Sequence, residues 1–282
     1  MKNKTWTKWT KEDDEKLKEL WENATMEKLL HEFPNRNYNS LMCRASTLKI
    51  KSKNRRNRIN GDLSILLEKN PISFYLLGFI LADGCFTSKN DITVSQTIDN
   101  KDFFYDLIKF MNGDINKIKT RTIQVNAFTK KPYTSVFFRV GHKKIIDQLK
   151  YILKIESAKT YNPIGNIEYF FQKELLPYFF IGLVDGDGCV WLSKKSPQLR
   201  IEMHRSWFSI LEKLCNNLNE FYNLNFKVKL SKRGYAQLWS GSVHTTVWAY
   251  NTAKSSFHMK KKWSKIDSYI QNIYNIKYKN PE

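Results

Sequence analysis

Asp83 and Asp187 each close a long apolar run, FYLLGFILADGCF at 74–86 and YFFIGLVDGDGCV at 178–190, and each is followed by Gly-Cys. The two carboxylates lie 104 residues apart. A polar end to one apolar helix is unremarkable, but the same Asp-Gly-Cys end to two matched runs points to chemistry. Two carboxylates held side by side repel, and at a helix C-terminus each also meets the negative end of the macrodipole. A hard divalent cation relieves both penalties, because Mg²⁺ takes oxygen ligands from carboxylate, water and phosphate. Such a cation supports phosphodiester hydrolysis.

The runs share Gly78 with Gly182, Asp83 with Asp187, Gly84 with Gly188 and Cys85 with Cys189. Each is apolar all round for about ten residues, which predicts a buried helix. The glycines lack a Cβ and let two helices approach closely, the steric logic of small-residue contacts in membranes. Paired about a pseudo-two-fold axis, the helices set Asp83 beside Asp187. Gly84 and Gly188 are expected to end them in the left-handed conformation.

Similar elements follow each run. After the first come a strand in DITVSQT, a helix at about 100–111 carrying Phe103, Phe104, Leu107 and Ile108, strands in KIKTRTIQV and TSVFFRV, and a helix at about 142–152. After the second come strands in CVWLS and QLRIEMH, a helix at about 206–222, a hairpin of FKVKLS and YAQLWSG, and helices at about 242–250 and 260–275. The expectation is an α+β fold built from a duplicated αββαββα unit of roughly 100 residues.

Residues 6–50 predict three short helices, at about 10–22, 25–33 and 38–49. Thr10 and Asp13 form a near capping box. The apolar faces carry Leu17, Leu20 and Trp21, then Met26, Leu29, Leu30 and Phe33, then Leu41, Met42, Ala45 and Leu48. From Phe33 to Asn60 there are eight Lys or Arg and no acid. KSKNRRNRIN at 51–60 reads as a basic linker whose Lys51, Lys53, Arg55 and Arg56 are candidate phosphate contacts. The domain boundaries expected are 1–50 for the helical unit, 51–69 for the linker, 70–165 for the first repeat and 166–282 for the second.

The net charge of +20 on 282 residues makes a polyanion the default partner, nucleic acid before membrane. No apolar run reaches the ~18 residues of a membrane-spanning helix, and the N-terminus is too polar for a signal peptide. An intracellular protein with reduced cysteines is expected. No Cys or His pair has zinc-ligand spacing.

LLGFILADG and FIGLVDGDG resemble the two copies of the LAGLIDADG motif in single-chain homing endonucleases, over about residues 70–275. The resemblance implies a monomeric, site-specific DNA endonuclease that uses Mg²⁺, with Mn²⁺ as a substitute, to cut both strands and leave short 3′ overhangs. It puts the metal at Asp83 and Asp187, the eighth motif residues, with Gly84 and Gly188 as further residues of the metal site. The sixth position, Leu81 in one copy and Asp185 in the other, has no metal role in the family. Gln96, Lys159 and Lys262 match polar residues around the reacting water. The partner of Gln96 in the second repeat stays open between Glu202 and His204. Two four-stranded sheets are implied to form a saddle on double-stranded DNA, contacted by Lys119, Arg121, Gln124, Arg139, Lys194, Arg200, Lys227, Lys229 and Arg233.

The N-terminal unit resembles Myb/SANT-like helix-turn-helix domains through WTKWTKEDDEKLKELW and KLLHEFPNRNYNSLMCRASTLKI. This implies DNA contacts from Tyr38, Asn39 and Arg44, with protein binding as the competing role. Alternatives for the whole chain are a catalytically inactive DNA-binding regulator and a maturase that binds intron RNA.

Overall fold

The computed structural model describes residues 8–21, 24, 26–50, 62–87, 90–123, 132–156, 158–193 and 196–279. Lys51, Lys53, Arg55, Arg56, Gln124 and Lys194 lie outside them, as does the side chain of Tyr38. The chain divides into two compact units, Met1–Asn57 and Arg58–Glu282.

The first unit holds α1 (Lys11–Trp21), α2 (Met26–Glu32) and α3 (Tyr38–Thr47). Thr10 starts α1: its hydroxyl accepts from the Asp13 amide at 3.1 Å. Asn37 caps α3 by accepting from the Ser40 amide at 2.8 Å. Leu17, Trp21, Leu29, Phe33, Leu41 and Ala45 form the core, close to the sequence expectation. Met42 is an exception, since it lies on the exposed side of α3.

The second unit begins with α4 (Pro71–Asp83), which runs directly into β1 (Gly84–Phe86) and then β2 (Asp91–Thr97). Asn70 caps α4 and Pro71 fills its first turn, where a missing N–H costs nothing. Next come α5 (Lys101–Phe110), β3 (Lys119–Ile123), β4 (Tyr133–Gly141) and α6 (Lys143–Leu153). The series then repeats as α7 (Leu176–Asp187), β5 (Gly188–Ser193), β6 (Ser196–Met203), α8 (Phe208–Tyr222), β7 (Lys227–Leu230), β8 (Ala236–Ser240) and α9 (Val243–Lys254). Helices α10 (Lys260–Trp263) and α11 (Asp267–Lys279) follow.

The sheets are antiparallel, with orders β1-β2-β4-β3 and β5-β6-β8-β7. Identical orders in two consecutive chain segments establish the duplicated α+β architecture. The alternation of each strand buries Ile92, Val94, Val136 and Phe138 on one side of the first sheet, and Val190, Leu199, Ile201 and Leu238 on one side of the second. These residues join one core that spans both repeats.

That core is organised by α4 against α7. A Cβ on Gly78 would stand 2.2 Å from the Phe179 carbonyl oxygen, and one on Gly182 would stand 2.1 Å from that of Tyr75. Phe179 and Tyr75 are themselves 104 residues apart, so the two contacts are one contact seen from each side of a pseudo-dyad. The helices meet backbone to backbone.

Candidate active site

Because α4 and α7 run side by side, Asp83 and Asp187 arrive at one end of the pair. A Cβ on Gly186, in the last turn of α7, would stand 3.4 Å from Oδ2 of Asp83. Asp83 feels the second carboxylate: it is pushed up to about 7, first by burial and then by the Asp187 charge. Asp187 is also pushed up, again by burial. Its outer edge stays exposed while protein packs densely around the rest.

Gly84 and Gly188 do not take the expected left-handed conformation. Their φ, ψ values of −83°, 161° and −89°, 163° are extended, so each glycine is already the first residue of a strand. A Cβ would stand 2.5 Å from the carbonyl oxygens of Ile80 and Val184 respectively. Glycine is needed there for the tightness of the helix-to-strand joint, not for its backbone freedom.

The two lysines cap the helices that carry the carboxylates. Lys159 Nζ donates to the carbonyls of Leu81 at 2.6 Å and Ala82 at 2.9 Å. Lys262 Nζ donates to those of Val184 at 2.8 Å, Asp185 at 2.5 Å and Gly188 at 2.8 Å, with Gly186 at 3.1 Å. The Leu81, Ala82, Asp185 and Gly186 carbonyls are ones that a helix end leaves without partners, the Val184 carbonyl also accepts from the Gly188 amide, and the lysines place cations at the negative poles. Burial pulls both lysines down, and the nearby aspartates oppose it. Their charges act crosswise. Lys262 is the cation that most offsets the rise at Asp83, and Lys159 is the one at Asp187. The family resemblance put these lysines at the reacting water. In this geometry the three N–H groups of Lys262 are engaged by carbonyls, including that of Gly188.

Asp185 proves to be the organiser of the second half. It is fully buried, and its carboxylate accepts from the Tyr75 hydroxyl at 2.7 Å, the Met259 amide at 2.7 Å and Trp263 Nε1 at 2.8 Å. Burial raises its pKa, and Lys262 opposes the rise. These bonds fix α10, and thereby Lys262, against α7 and α4. Leu81 stands at the matching position of α4 and makes no such bond. The Lys159 backbone is held instead by Trp207 Nε1, which donates to its carbonyl at 3.1 Å. One signal in the sequence pointed to Asp185: a charged residue inside an otherwise apolar run.

Gln96 lies against Asp83. Its side-chain amide donates to Oδ2 of Asp83, and Asn100 Nδ2 donates back to Gln96 Oε1 at 3.1 Å. Neither Glu202 nor His204 is its counterpart. Gly84 pairs with Val94, two residues before Gln96, and Gly188 pairs with Ile201, two residues before Met203. Gln96 faces Val136 across the next strand as Met203 faces Ala236. Glu202 points to the opposite side of β6, where it accepts from Arg233 and Gln237. His204 turns to Ser206 at 3.0 Å.

The cationic residues of the strands collect on the side of each sheet away from the core. In the first sheet, Arg139 pairs with Thr93 and then Cys85, Lys119 lies beside Phe137 and Ser95, and Arg121 lies beside Ser135 and Thr97. In the second, Lys227, Trp239, Arg200 and Cys189 form one row, with Lys229, Gln237 and Glu202 in the next. Arg200 lies over the Trp191 ring at 5.5 Å, and Lys229 over that of Trp239 at 4.9 Å. Arg233, in the β7–β8 turn, is held by Glu202 at 2.5 Å.

In the first unit, Asn39 is exposed on α3. Arg44 is not offered outward. Its Nε and Nη2 grip the two oxygens of Asp14 at 2.7 and 2.5 Å, and its guanidinium lies 5.7 Å from the Trp9 ring centroid. Arg36 stacks on the same ring at 4.2 Å. One acid of the first helix, Asp14, accounts for the capture of Arg44, the single cation of α3.

Among the described residues no group of three or more His, Cys, Asp or Glu is placed to hold a metal ion, and no helix is long and apolar enough to cross a membrane. No family model and no curated protein sequence matches the chain. Solved structures give distant likenesses. The N-terminal LAGLIDADG domain of DUF199/WhiA is 18% identical, with 64% of this chain and 80% of that chain covered and a TM-score of 0.44. The LAGLIDADG meganuclease I-AabMI bound to uncleaved DNA is 11% identical, with coverages of 72% and 92% and a TM-score of 0.42. The meganuclease I-CpaMI bound to uncleaved DNA is 12% identical, with coverages of 75% and 90% and a TM-score of 0.35.

Proposed function

We propose that this protein is a site-specific endonuclease that breaks both strands of a DNA duplex by metal-dependent phosphodiester hydrolysis. The observation that carries the reading is the matched pair Asp83 and Asp187, brought to one end of two helices by the Gly78 and Gly182 contacts. The motif resemblance of LLGFILADG and FIGLVDGDG to single-chain homing endonucleases agrees with it.

The residues fit a hard divalent cation, Mg²⁺ first and Mn²⁺ second. Two buried carboxylates, one of them raised further by the charge of the other, offer hard oxygen donors and excess negative charge. With only these side chains available, water, main chain and a DNA phosphate complete the ligand set. When bound, the cation supplies positive charge to the phosphate under attack. The chain's own residues hold Asp83 through Gln96, cap both helix ends through Lys159 and Lys262, and neutralise part of the carboxylate charge.

The outer faces of the sheets carry Lys119, Arg121, Arg139, Arg200, Lys227 and Lys229 as contacts to phosphates and base edges. One chain supplies both carboxylates, so a monomer acts alone. The N-terminal unit extends the DNA footprint through the exposed side of α3, with Asn39 as its contact and Arg44 as internal scaffold. A regulator without catalysis has no use for two matched carboxylates at this energetic cost.

The test is incubation of DNA carrying the insertion-free target locus with the protein and Mg²⁺, followed by mapping of new ends. One cleavage locus with short 3′ overhangs, absent with EDTA, is expected. Specific binding without new ends in any divalent metal would refute the endonuclease.

A further inference from the structure

The two halves of the site are not equivalent. In the first, the Gln96 amide holds Oδ2 of Asp83, and Asn100 holds Gln96 in turn. In the second, the strand register puts Met203 at the place of Gln96. Met203 is buried, 6% exposed, and a thioether cannot donate a hydrogen bond. Among the described residues Asp187 receives no side-chain hydrogen bond, and Asp187 is the more exposed of the pair.

The difference arises in the hairpins. Thirteen residues lead from Gly188 to its partner Ile201, against ten from Gly84 to Val94. The three extra residues lengthen β5 and carry the chain past the position that a constant 104-residue offset would assign, which is Arg200. Arg200 is turned to the opposite face, over Trp191.

We propose that Met203 makes this enzyme cut the two DNA strands in a fixed order: the half-site built on Asp83 acts first, and the half-site built on Asp187 lags. This rests on the endonuclease reading above. Catalysis depends on carboxylates held in the productive orientation before the substrate arrives. Gln96 gives that orientation to Asp83 and Met203 withholds it from Asp187. Gln96 and Met203 are positioning residues, since each acts through its aspartate. One orienting hydrogen bond corresponds to a rate difference of about tenfold.

The experiment is a single-turnover time course on a duplex labelled differently on each strand, with saturating protein and Mg²⁺, for wild type, Met203→Gln and Gln96→Met. Wild type is expected to accumulate a nicked intermediate, with one strand cut about tenfold faster. Both variants are expected to lose the bias for opposite reasons: Met203→Gln by speeding the slow strand, Gln96→Met by slowing the fast one. A readout independent of turnover is the side-chain carboxyl ¹³C signal of labelled aspartate. Asp83 alone should move in Gln96→Met, and Asp187 alone in Met203→Gln. Equal strand rates in wild type, or a bias that survives both substitutions, would overturn this inference and leave the endonuclease intact. No cutting of either strand by wild type would overturn both.

Discussion

Gly182 lies directly against the backbone of Tyr75, close enough that a Cβ on the glycine would stand 2.1 Å from the tyrosine carbonyl oxygen. The obstacle is backbone inside a buried helix pair and cannot swing aside. The same contact recurs between Gly78 and Phe179. The separation of the two helices, and so of the two carboxylates, is set by the absence of two methyl groups.

Gly182→Ala is therefore expected to destabilise the second unit by about 3 kcal/mol, at the upper end of overpacking costs. Urea unfolding of the full chain measures it. A loss under about 0.5 kcal/mol, the range of a harmless surface change, would mean the helices part freely.

Asp185→Leu makes the second helix match Leu81 of the first, yet it leaves the Tyr75 hydroxyl, the Met259 amide and Trp263 Nε1 without their acceptor. Unsatisfied buried donors cost about 1–3 kcal/mol each. A loss of about 3 kcal/mol or more is expected by the same method. The variant should also lose activity, because α10 carries Lys262. A stable, active variant would show that Asp185 anchors nothing.

Metal-free protein should lose stability as pH rises from about 4 to about 7. Asp83 is raised from 3.8 to about 7, so within that window the folded state binds the proton that the unfolded state has released. Stability from this group is complete below the unfolded value and lost through the folded one. Asp185 and Asp187 are shifted in the same direction. The Tm should be higher at pH 5 than at pH 7.5, and Asp83→Asn should flatten the difference. A Tm that rises over this range and is unaffected by Asp83→Asn would refute the burial of charge at the site.

Arg44→Ala should lower the melting midpoint of the N-terminal unit, because Asp14 loses both of its guanidinium bonds. Asn39→Ala should leave that midpoint unchanged and weaken DNA binding. Removal of residues 1–60 should weaken binding more than it slows cutting of bound DNA. The reverse pattern for Arg44 and Asn39 would make Arg44 the reader.

The repeat, the two helices and the carboxylates were legible in the sequence because each is written twice at one offset. Gln96 was legible because it ends the strand that follows the first motif, and the short hairpin from Gly84 to Val94 brings it back to Asp83. Its counterpart was not, since a three-residue lengthening of one hairpin moves the register without leaving a composition signal. Gly84 and Gly188 were read as left-handed helix ends because Asp-Gly usually ends helices that way. Here the chain continues straight into a strand. Arg44 looked like a DNA contact because its partner Asp14 is 30 residues away and on another helix. The anchoring role of Asp185 was not legible, because its three donors come from distant parts of the chain, at 75, 259 and 263.

On the proposed function, Asp83 and Asp187 perform metal-dependent cleavage together. The most direct measurement sets wild type beside Asp83→Asn and Asp187→Asn on one target duplex, scoring cleavage with Mg²⁺ and binding with EDTA in parallel. Each variant is expected to bind like wild type and to make no double-strand break. Double-strand cleavage at the wild-type rate by either variant would contradict that function.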